Sequence, residues 1–180
     1  AVSALSEKKI KLNCKVCQLV KLYKNGDPFK MSKRAGDFIS AQDLLSEVDK
    51  DSIRFMMLNR SNDVEIDFDF DKVKEKTKDN PVFYVQYAYA RINSLLRTLN
   101  TSFVEKIEFD EIDFTLNVIE EKIIRKVFEW PKIIESATRK FDLHKIPFYL
   151  YELSTLFHAY WSRGNEDKRY KFIENEQIKR

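Results

Sequence analysis

The stretch Asn80–Asn100, NPVFYVQYAYARINSLLRTLN, decides the fold, because it joins a helix start signal to a long helical pattern. Asparagine is a favourable N-cap residue, and proline fits the first helical position because the N–H it lacks would have no partner there. Tyr84, Tyr87 and Arg91 follow at i, i+3 and i+7 and therefore share one face. The sequence predicts a long helix with tyrosines and a guanidinium along one side.

Helical patterns continue after this stretch. The pattern over residues 114–140 is interrupted at Trp130-Pro131, because proline disfavours helical geometry in the residue before it. Pro147 opens a last long helix, roughly residues 148–162, which Arg163-Gly164-Asn165 is expected to end. The 3 glycines and 4 prolines are too few turn formers for a many-stranded sandwich or barrel.

Residues before Asn80 mix a predicted hairpin with short helices. Lys15–Tyr23 is β-like, and the Asn-Gly pair that follows at positions 25 and 26 is a strong hairpin signal. Ser40 and Asp43 form a helix N-cap pattern, and a second helix starting at residue 51 is so apolar over residues 53–58 that we expect it to be buried on most sides.

An acidic, alternating stretch occupies residues 63–71, DVEIDFDFD. Its five acidic side chains fall on one face, where like charges repel, so they must face water or cap the next helix. A solvated connector is the preferred interpretation, with an acidic metal site as the alternative. The charged residues 71–79 that end this region are expected to be helical.

Composition and charge limit the function classes. Hydrophobic residues are 43% and charged residues 34%, which is typical of a globular protein, and no apolar run reaches the roughly 20 residues that span a bilayer. Cys14 and Cys17 lack the further ligands that zinc needs, so two reduced thiols are favoured over a metal or redox site. Residues 1–36 hold nine Lys/Arg and two acids, which indicates either a polyanion-facing surface or a solvated lysine-rich face.

The sharpest local motif is Lys30-Met31-Ser32-Lys33-Arg34 on a predicted loop. Ammonium groups on a mobile loop can close over a triphosphate and neutralise the charge that builds there. The string resembles the KMSKS signature of class I aminoacyl-tRNA synthetases, with arginine in place of the final serine. Its context, KMSKRAGDFISAQDLLSEVDKDSIRFMMLNRSNDVEIDFDFDKV, then KDNPVFYVQYAYARI and PFYLYELSTLFHAYWSRGN, is similar to bacterial arginyl-tRNA synthetases across residues 1–175.

The resemblance implies a mainly α fold, in which a β-hairpin remnant of a Rossmann-type catalytic domain precedes an α-helical anticodon-binding bundle. Residues 1–36 would be the end of the catalytic domain, residues 37–70 linker and stem-contact helices, and residues 71–180 the anticodon-binding domain without its last helices. The parent family ligates arginine to tRNA-Arg through an arginyl-adenylate, using ATP and Mg²⁺. This chain has no H-x-G-H signature, so a C-terminal fragment that is inactive alone is expected.

Site residues are carried over by the same resemblance. Lys33 would meet the pyrophosphate and α-phosphate, Lys30 would support the loop, and Ser32 would orient it, whereas no protein side chain is expected to bind a metal. The residues matched to the tRNA-binding positions are Tyr84, Tyr87, Arg91 and Tyr149. The alternative interpretation of each tyrosine is that its ring lines the core and its hydroxyl points outward. His158 is expected to be a packed helix residue.

The expected partner is tRNA-Arg, with arginine and ATP needed only by the intact enzyme, and the expected state is a cytoplasmic monomer without membrane contact. Two alternatives are another class I synthetase, of the cysteinyl or methionyl type, and a helical protein–protein interaction module without a nucleic-acid role. Residues 1–36 are expected to pack on the helices as a hairpin, to be poorly ordered, or to mediate self-association.

Overall fold

The structure, a computed structural model, describes residues 14–29, 39–98, 116–174 and 177–178. Its strands are β1 (Val20–Lys24), β2 (Asp27–Pro28), β3 (Ile66–Asp69), β4 (Ile173–Glu174) and β5 (Gln177–Ile178). Its helices are α1 (Ala41–Glu47), α2 (Lys50–Leu58), α3 (Phe70–Lys74), α4 (Pro81–Thr98), α5 (Val118–Phe128), α6 (Trp130–Lys140) and α7 (Lys145–Glu166), followed by a 3₁₀ turn at Lys168–Tyr170. Most described residues are therefore helical, as predicted.

A three-stranded sheet in the order β2-β1-β3 organises the N-terminal half, by which we mean residues 14–29 and 39–74. Asn25 and Gly26 both have positive φ, 54° and 80°, which is the backbone that a two-residue hairpin turn requires, so the predicted hairpin is confirmed. The pairing of β1 with β3 is parallel and runs from Val20 opposite Ile66 to Tyr23 opposite Asp69. The sheet thus crosses the predicted boundary at residue 36.

The apolar side of this sheet forms a small core. Phe68 and Phe70 are 0% and 1% exposed, and their rings meet edge to face with centroids 5.5 Å apart. Leu22, Val48 and Val73 complete the buried cluster. The acidic stretch at residues 63–71 is more than a connector, because its apolar side chains build the core and its backbone pairs with β1. The expectation that its acidic side chains face water or cap the next helix is confirmed.

The acidic side chains of the stretch have local partners. Asp69 accepts hydrogen bonds from the amides of Asp71 and Lys72 and caps α3. Asp71 accepts from the backbone N–H of Asn25 at 2.7 Å and so holds the hairpin turn. The helix predicted for residues 71–79 ends early, at Lys74.

The two short helices start where the sequence places caps. Ser40 and Asp43 form a reciprocal capping box on α1, and Asp49 caps α2. The expected burial of residues 53–58 was wrong. Only Ser52 is fully buried in α2, whereas Ile53, Met56 and Met57 are half-buried against the small core and Leu58 is 36% exposed.

Four long helices, α4 to α7, form the helical bundle, by which we mean the described residues 81–98 and 116–172. Helix α7 is its centre and packs against α4, α5, α6 and the 3₁₀ turn. The predicted break near Trp130-Pro131 is confirmed, since Glu129 separates α5 from α6.

The predicted end of α7 is wrong, because Gly164 is helical and buried. A Cβ there would lie 2.8 Å from the carbonyl oxygen of Tyr170, so glycine permits a close approach of the chain.

Asn80 joins the two halves and begins α4 as predicted. Its side-chain Oδ1 accepts from the amide of Val82 at 3.1 Å, and its Nδ2 donates to the carbonyls of Val73 and Glu75 at 2.8 and 2.7 Å. Asn80 is buried, so it satisfies polar groups on both α3 and α4 that would otherwise lack partners. The asparagine is an N-cap that also ties α4 to the N-terminal half.

Candidate nucleic-acid interface

An aromatic seam lies along the contact between α4 and α7. We define the seam by four side chains of α4 and three of α7: Phe83, Tyr84, Tyr87, Arg91, Tyr151, His158 and Trp161. The predicted common face of Tyr84, Tyr87 and Arg91 is confirmed by their shared contacts. Three members on α7 were not predicted as site residues, although their spacing of seven and three residues places them on one helix face.

The two seam tyrosines of α4 differ in accessibility. Tyr84 is half-buried, with its ring 4.4 Å from the His158 ring and 5.4 Å from the Tyr151 ring. Tyr87 is 42% exposed and stacks on Phe83 at 5.7 Å with the two ring planes 10° apart. Tyr87 therefore presents ring surface to solvent while its orientation is fixed from several sides.

Arg91 holds the exposed end of the seam together. Its guanidinium carbon lies 4.2 Å from the centre of the Tyr87 ring and 4.9 Å from that of Trp161, distances at which a cation is attracted to an aromatic face. One terminal nitrogen donates to the Tyr87 hydroxyl at 2.8 Å and the other to Nδ1 of His158 at 3.2 Å. Since a guanidinium has five N–H donors, further donors remain for a ligand.

His158 is the buried hub of the seam, as a packed helix residue should be. Arginine can only donate, so Nδ1 of His158 accepts from Arg91 and Nε2 carries the proton that is donated to the carbonyl of Tyr84 at 3.1 Å. Burial is the largest cause that lowers the pKa of His158 below its ordinary 6.5; the hydrogen bond to the Tyr84 carbonyl opposes it, and the charge of Arg91, the smallest of the three effects, lowers the pKa again. The imidazole is therefore held neutral.

A pH dependence of stability follows from this lowered pKa. As the pH falls below about 6.5, the unfolded chain takes up a proton at position 158 before the folded chain does, so the free energy of unfolding decreases until the folded pKa is passed. We expect wild-type protein to lose stability between pH 7 and pH 5 in urea unfolding, and His158→Gln to lose less. His144 and the carboxylates are common to both proteins, so an identical pH slope would contradict the buried neutral histidine.

Tyr149 does not belong to the seam, and its place in the structure matches the alternative interpretation of a tyrosine in the core wall. It is 4% exposed, and its hydroxyl donates to the carbonyl of Lys126 at 3.0 Å. Its ring packs on Trp130 at 5.1 Å and lies beneath the Lys126 ammonium. A ring covered in this way has no face to offer to a base, so Tyr149 is a core residue of the bundle.

The predicted triphosphate-binding residues, Lys30, Met31, Ser32, Lys33 and Arg34, lie outside the described residues. Within the described ranges, no group of three or more His, Cys, Asp or Glu side chains could hold a metal ion. Both cysteines are exposed, and Sγ of Cys17 accepts from Nδ2 of Asn62 at 3.4 Å. No helix in the described part of the chain is long and apolar enough to cross a membrane.

Comparison with known proteins places the helical part of the chain in a known family. A family model described as the DALR anticodon binding domain matches residues 85–179. The chain is 57% identical over 178 residues to the arginine–tRNA ligase of Pelagibacter ubique and 48% identical over 179 residues to that of Ruegeria pomeroyi. These alignments cover 99% and 97% of this chain, which spans 31% of the length of each relative.

Solved structures give the same picture of the fold. A putative arginyl-tRNA synthetase from Campylobacter jejuni superposes with a TM-score of 0.70 at 28% identity, over 82% of this chain and 32% of that one. An arginyl-tRNA synthetase from Plasmodium falciparum reaches a TM-score of 0.55 at 24% identity, over 76% of this chain and 23% of that one, which shows the fold alone.

Proposed function

The chain belongs to the DALR anticodon binding domain family, and from this premise we propose that it is the tRNA-binding part of an arginyl-tRNA synthetase. The parent enzyme would ligate arginine to tRNA-Arg, and this part would bind the anticodon stem-loop through the aromatic seam. The relatives of which it spans about a third are arginine–tRNA ligases, which supports the choice of amino acid.

One observation carries the proposal: Tyr87 is exposed and at the same time held rigidly. Unstacked anticodon bases bind to proteins by stacking on aromatic rings, and each such contact contributes about 1–3 kcal/mol. The Tyr87 ring is fixed by Phe83, His158 and Arg91, so little conformational entropy is lost when a base stacks on it. Tyr84, which lies deeper, would contact a base by its edge.

Arg91 has two roles in this proposal. Its contacts to Tyr87 and Trp161 position the stacking ring, and its remaining N–H donors are available to a phosphate or to a base edge. Because positive charge near RNA attracts any phosphate backbone, this residue would add affinity for every sequence. Stacking on Tyr87 tolerates any base, so hydrogen bonds to the edge of the stacked base would supply the preference for one anticodon.

The remaining parts of the assignment rest on sequence. We propose residues 71–180 as the anticodon-binding domain, residues 37–70 as linker and stem-contact helices, and residues 1–36 as the end of the catalytic domain. In the parent enzyme Lys30 and Lys33 would approach the triphosphate of ATP, whose Mg²⁺ would be held outside the described residues. A cytoplasmic monomer that cannot activate arginine alone completes the proposal.

The test is binding of this chain to a tRNA-Arg transcript and to the same transcript with exchanged anticodon bases, over a salt series. We expect the native anticodon to bind about tenfold more tightly or better, with the same salt dependence for both transcripts. Equal affinities that both collapse as salt rises would overturn the proposal, because they would reduce the interaction to phosphate attraction by the basic residues.

A further inference from the structure

Lys15 connects the N-terminal half of the described chain to the helical bundle. Its ammonium donates three hydrogen bonds, each 2.9 Å long, to the carbonyls of Lys140 and Phe141 and to Oδ1 of Asp142. An ammonium has three N–H donors, so these contacts use all of them. Lys15 is therefore fully engaged across a sequence separation of 125 to 127 residues, and it is not available to a phosphate.

The three acceptors form the C-terminal end of α6. Phe141 adopts the left-handed conformation there, with φ 55°, and the last carbonyls of a helix have no partners within the helix. The partial negative charge at this end attracts a cation. The hydrogen bond from Lys15 also lowers the pKa of the Asp142 carboxyl below its ordinary value. Lys15 thus acts as a C-terminal cap of α6 that comes from the other half of the molecule.

Beside this contact the two halves are separated by a cleft of about 810 Å³. Its walls are the segment around Cys14–Gln18, the turn between α2 and β3, and the turn between α6 and α7. Helix α2 also contacts α4, but the open cleft leaves the α6–α7 turn dependent on few neighbours in the N-terminal half. The Lys15 ammonium crosses from one wall of the cleft to another.

From Lys15 the chain leads directly into the sheet. The amide of Gln18 donates to the carbonyl of Asn62 at 2.9 Å, and the carbonyl of Leu19 accepts from Ile66 at 3.1 Å. Strand β1 follows, then the Asn25-Gly26 turn, then β2, and the Lys30–Arg34 motif comes two residues after β2. A displacement of the α6–α7 turn would therefore be passed to the strand that precedes the motif.

We propose that Lys15 is a positioning residue, which couples the helical bundle to the hairpin leading into the Lys30–Arg34 motif. Its role in sensing RNA rests on the proposed function, because the bundle must bind tRNA for the coupling to carry a signal. The mechanical part of the proposal does not depend on RNA: Lys15 holds the segment before β1 and the α6–α7 turn in one arrangement.

The test is amide hydrogen exchange on the full chain, comparing Lys15→Met with Lys21→Met. Lys21 is the matched control, since it forms a similar exposed ion pair with Glu65 but within the N-terminal half. We expect Lys15→Met to exchange on the order of tenfold faster at the amides of both Gln18 and Asp142, and Lys21→Met to leave both unchanged. The coupling is overturned if Lys15→Met accelerates exchange at only one of these two amides or at neither. It is also overturned if Lys21→Met accelerates them equally.

A second variant and an RNA arm complete the experiment. If Lys15→Met accelerates every amide by general destabilisation, Asp142→Asn should still accelerate the same two sites by a smaller factor. This variant weakens one of the three acceptors of Lys15 and also removes the ion pair of Asp142 with Lys145, so Lys145→Met is its control. With tRNA-Arg transcript added, protection should extend from the bundle to Gln18 in wild-type protein and stop at the α6–α7 turn in Lys15→Met. The inference is overturned if the transcript protects amides of the bundle in wild-type protein but leaves exchange at Gln18 unchanged. Absence of protection in the bundle would instead overturn the proposed function, and the RNA-free comparison would still decide the role of Lys15.

Discussion

Replacement of Phe68 by alanine is expected to lower the free energy of unfolding by about 3–5 kcal/mol. The ring is fully buried between the sheet and the helices of the N-terminal half, against Phe70 and Leu22. Removing it loses the transfer free energy of the ring and leaves a cavity that the rigid strand cannot close. Urea unfolding followed by circular dichroism measures the change.

The control for Phe68 comes from the same alternating stretch. Val64 has the same parity as Phe68 along residues 63–71, but it lies before β3 begins and is 51% exposed. We expect Val64→Ala to change the free energy of unfolding by less than about 0.5 kcal/mol. Equal effects at the two positions, or a loss below about 1 kcal/mol for Phe68→Ala, would show that the small core does not stabilise the N-terminal half.

The turns and helix starts that were predicted correctly depend only on residues that are close together in the sequence. Asn25-Gly26 tolerates positive φ, Ser40 and Asp43 satisfy each other's backbone amides, and Asn80 precedes a proline at the first helical position. Each of these signals acts over four residues or fewer. The same local chemistry would operate in almost any surrounding fold, so no knowledge of tertiary structure was needed.

The features that the sequence did not predict depend on distant partners. The parallel pairing of β1 with β3 joins residues that are far apart in sequence, and the alternating pattern of β3 says which face is apolar but not which strand lies beside it. The contact of Lys15 with the end of α6 has no sequence signal beyond one lysine among many. Gly164 looks like a helix terminator until the backbone of Tyr170 is found against it.

The candidate site shows the same division. Helical spacing correctly places Tyr84, Tyr87 and Arg91 on one face, but it cannot say which helix faces are covered. Tyr87 and Tyr149 are both tyrosines in apolar helices, and only packing makes one exposed and the other buried. Sequence spacing could not show that Trp130 and Lys126 cover the Tyr149 ring.

Tyr87→Ala is expected to weaken binding of a tRNA-Arg transcript about tenfold to a hundredfold, the largest effect on binding of any single seam residue. This range corresponds to the loss of one stacked base. Tyr87→Phe keeps the ring and loses only the hydroxyl that accepts from Arg91, so its affinity should lie between that of wild type and that of the alanine variant. Filter binding or fluorescence titration at fixed salt measures the three affinities.

Two tyrosines of this chain serve as matched controls for Tyr87. Tyr89 is on the same helix and is 69% exposed, but no described contact joins it to the seam, so Tyr89→Ala should leave the affinity nearly unchanged. Tyr149→Phe should lower stability, through the loss of its hydrogen bond to Lys126, without lowering affinity. If Tyr89→Ala weakened binding as much as Tyr87→Ala, any exposed ring would suffice and the seam would have no special role. If neither did, RNA would bind elsewhere on the chain, and the rigid exposure of Tyr87 would have another purpose.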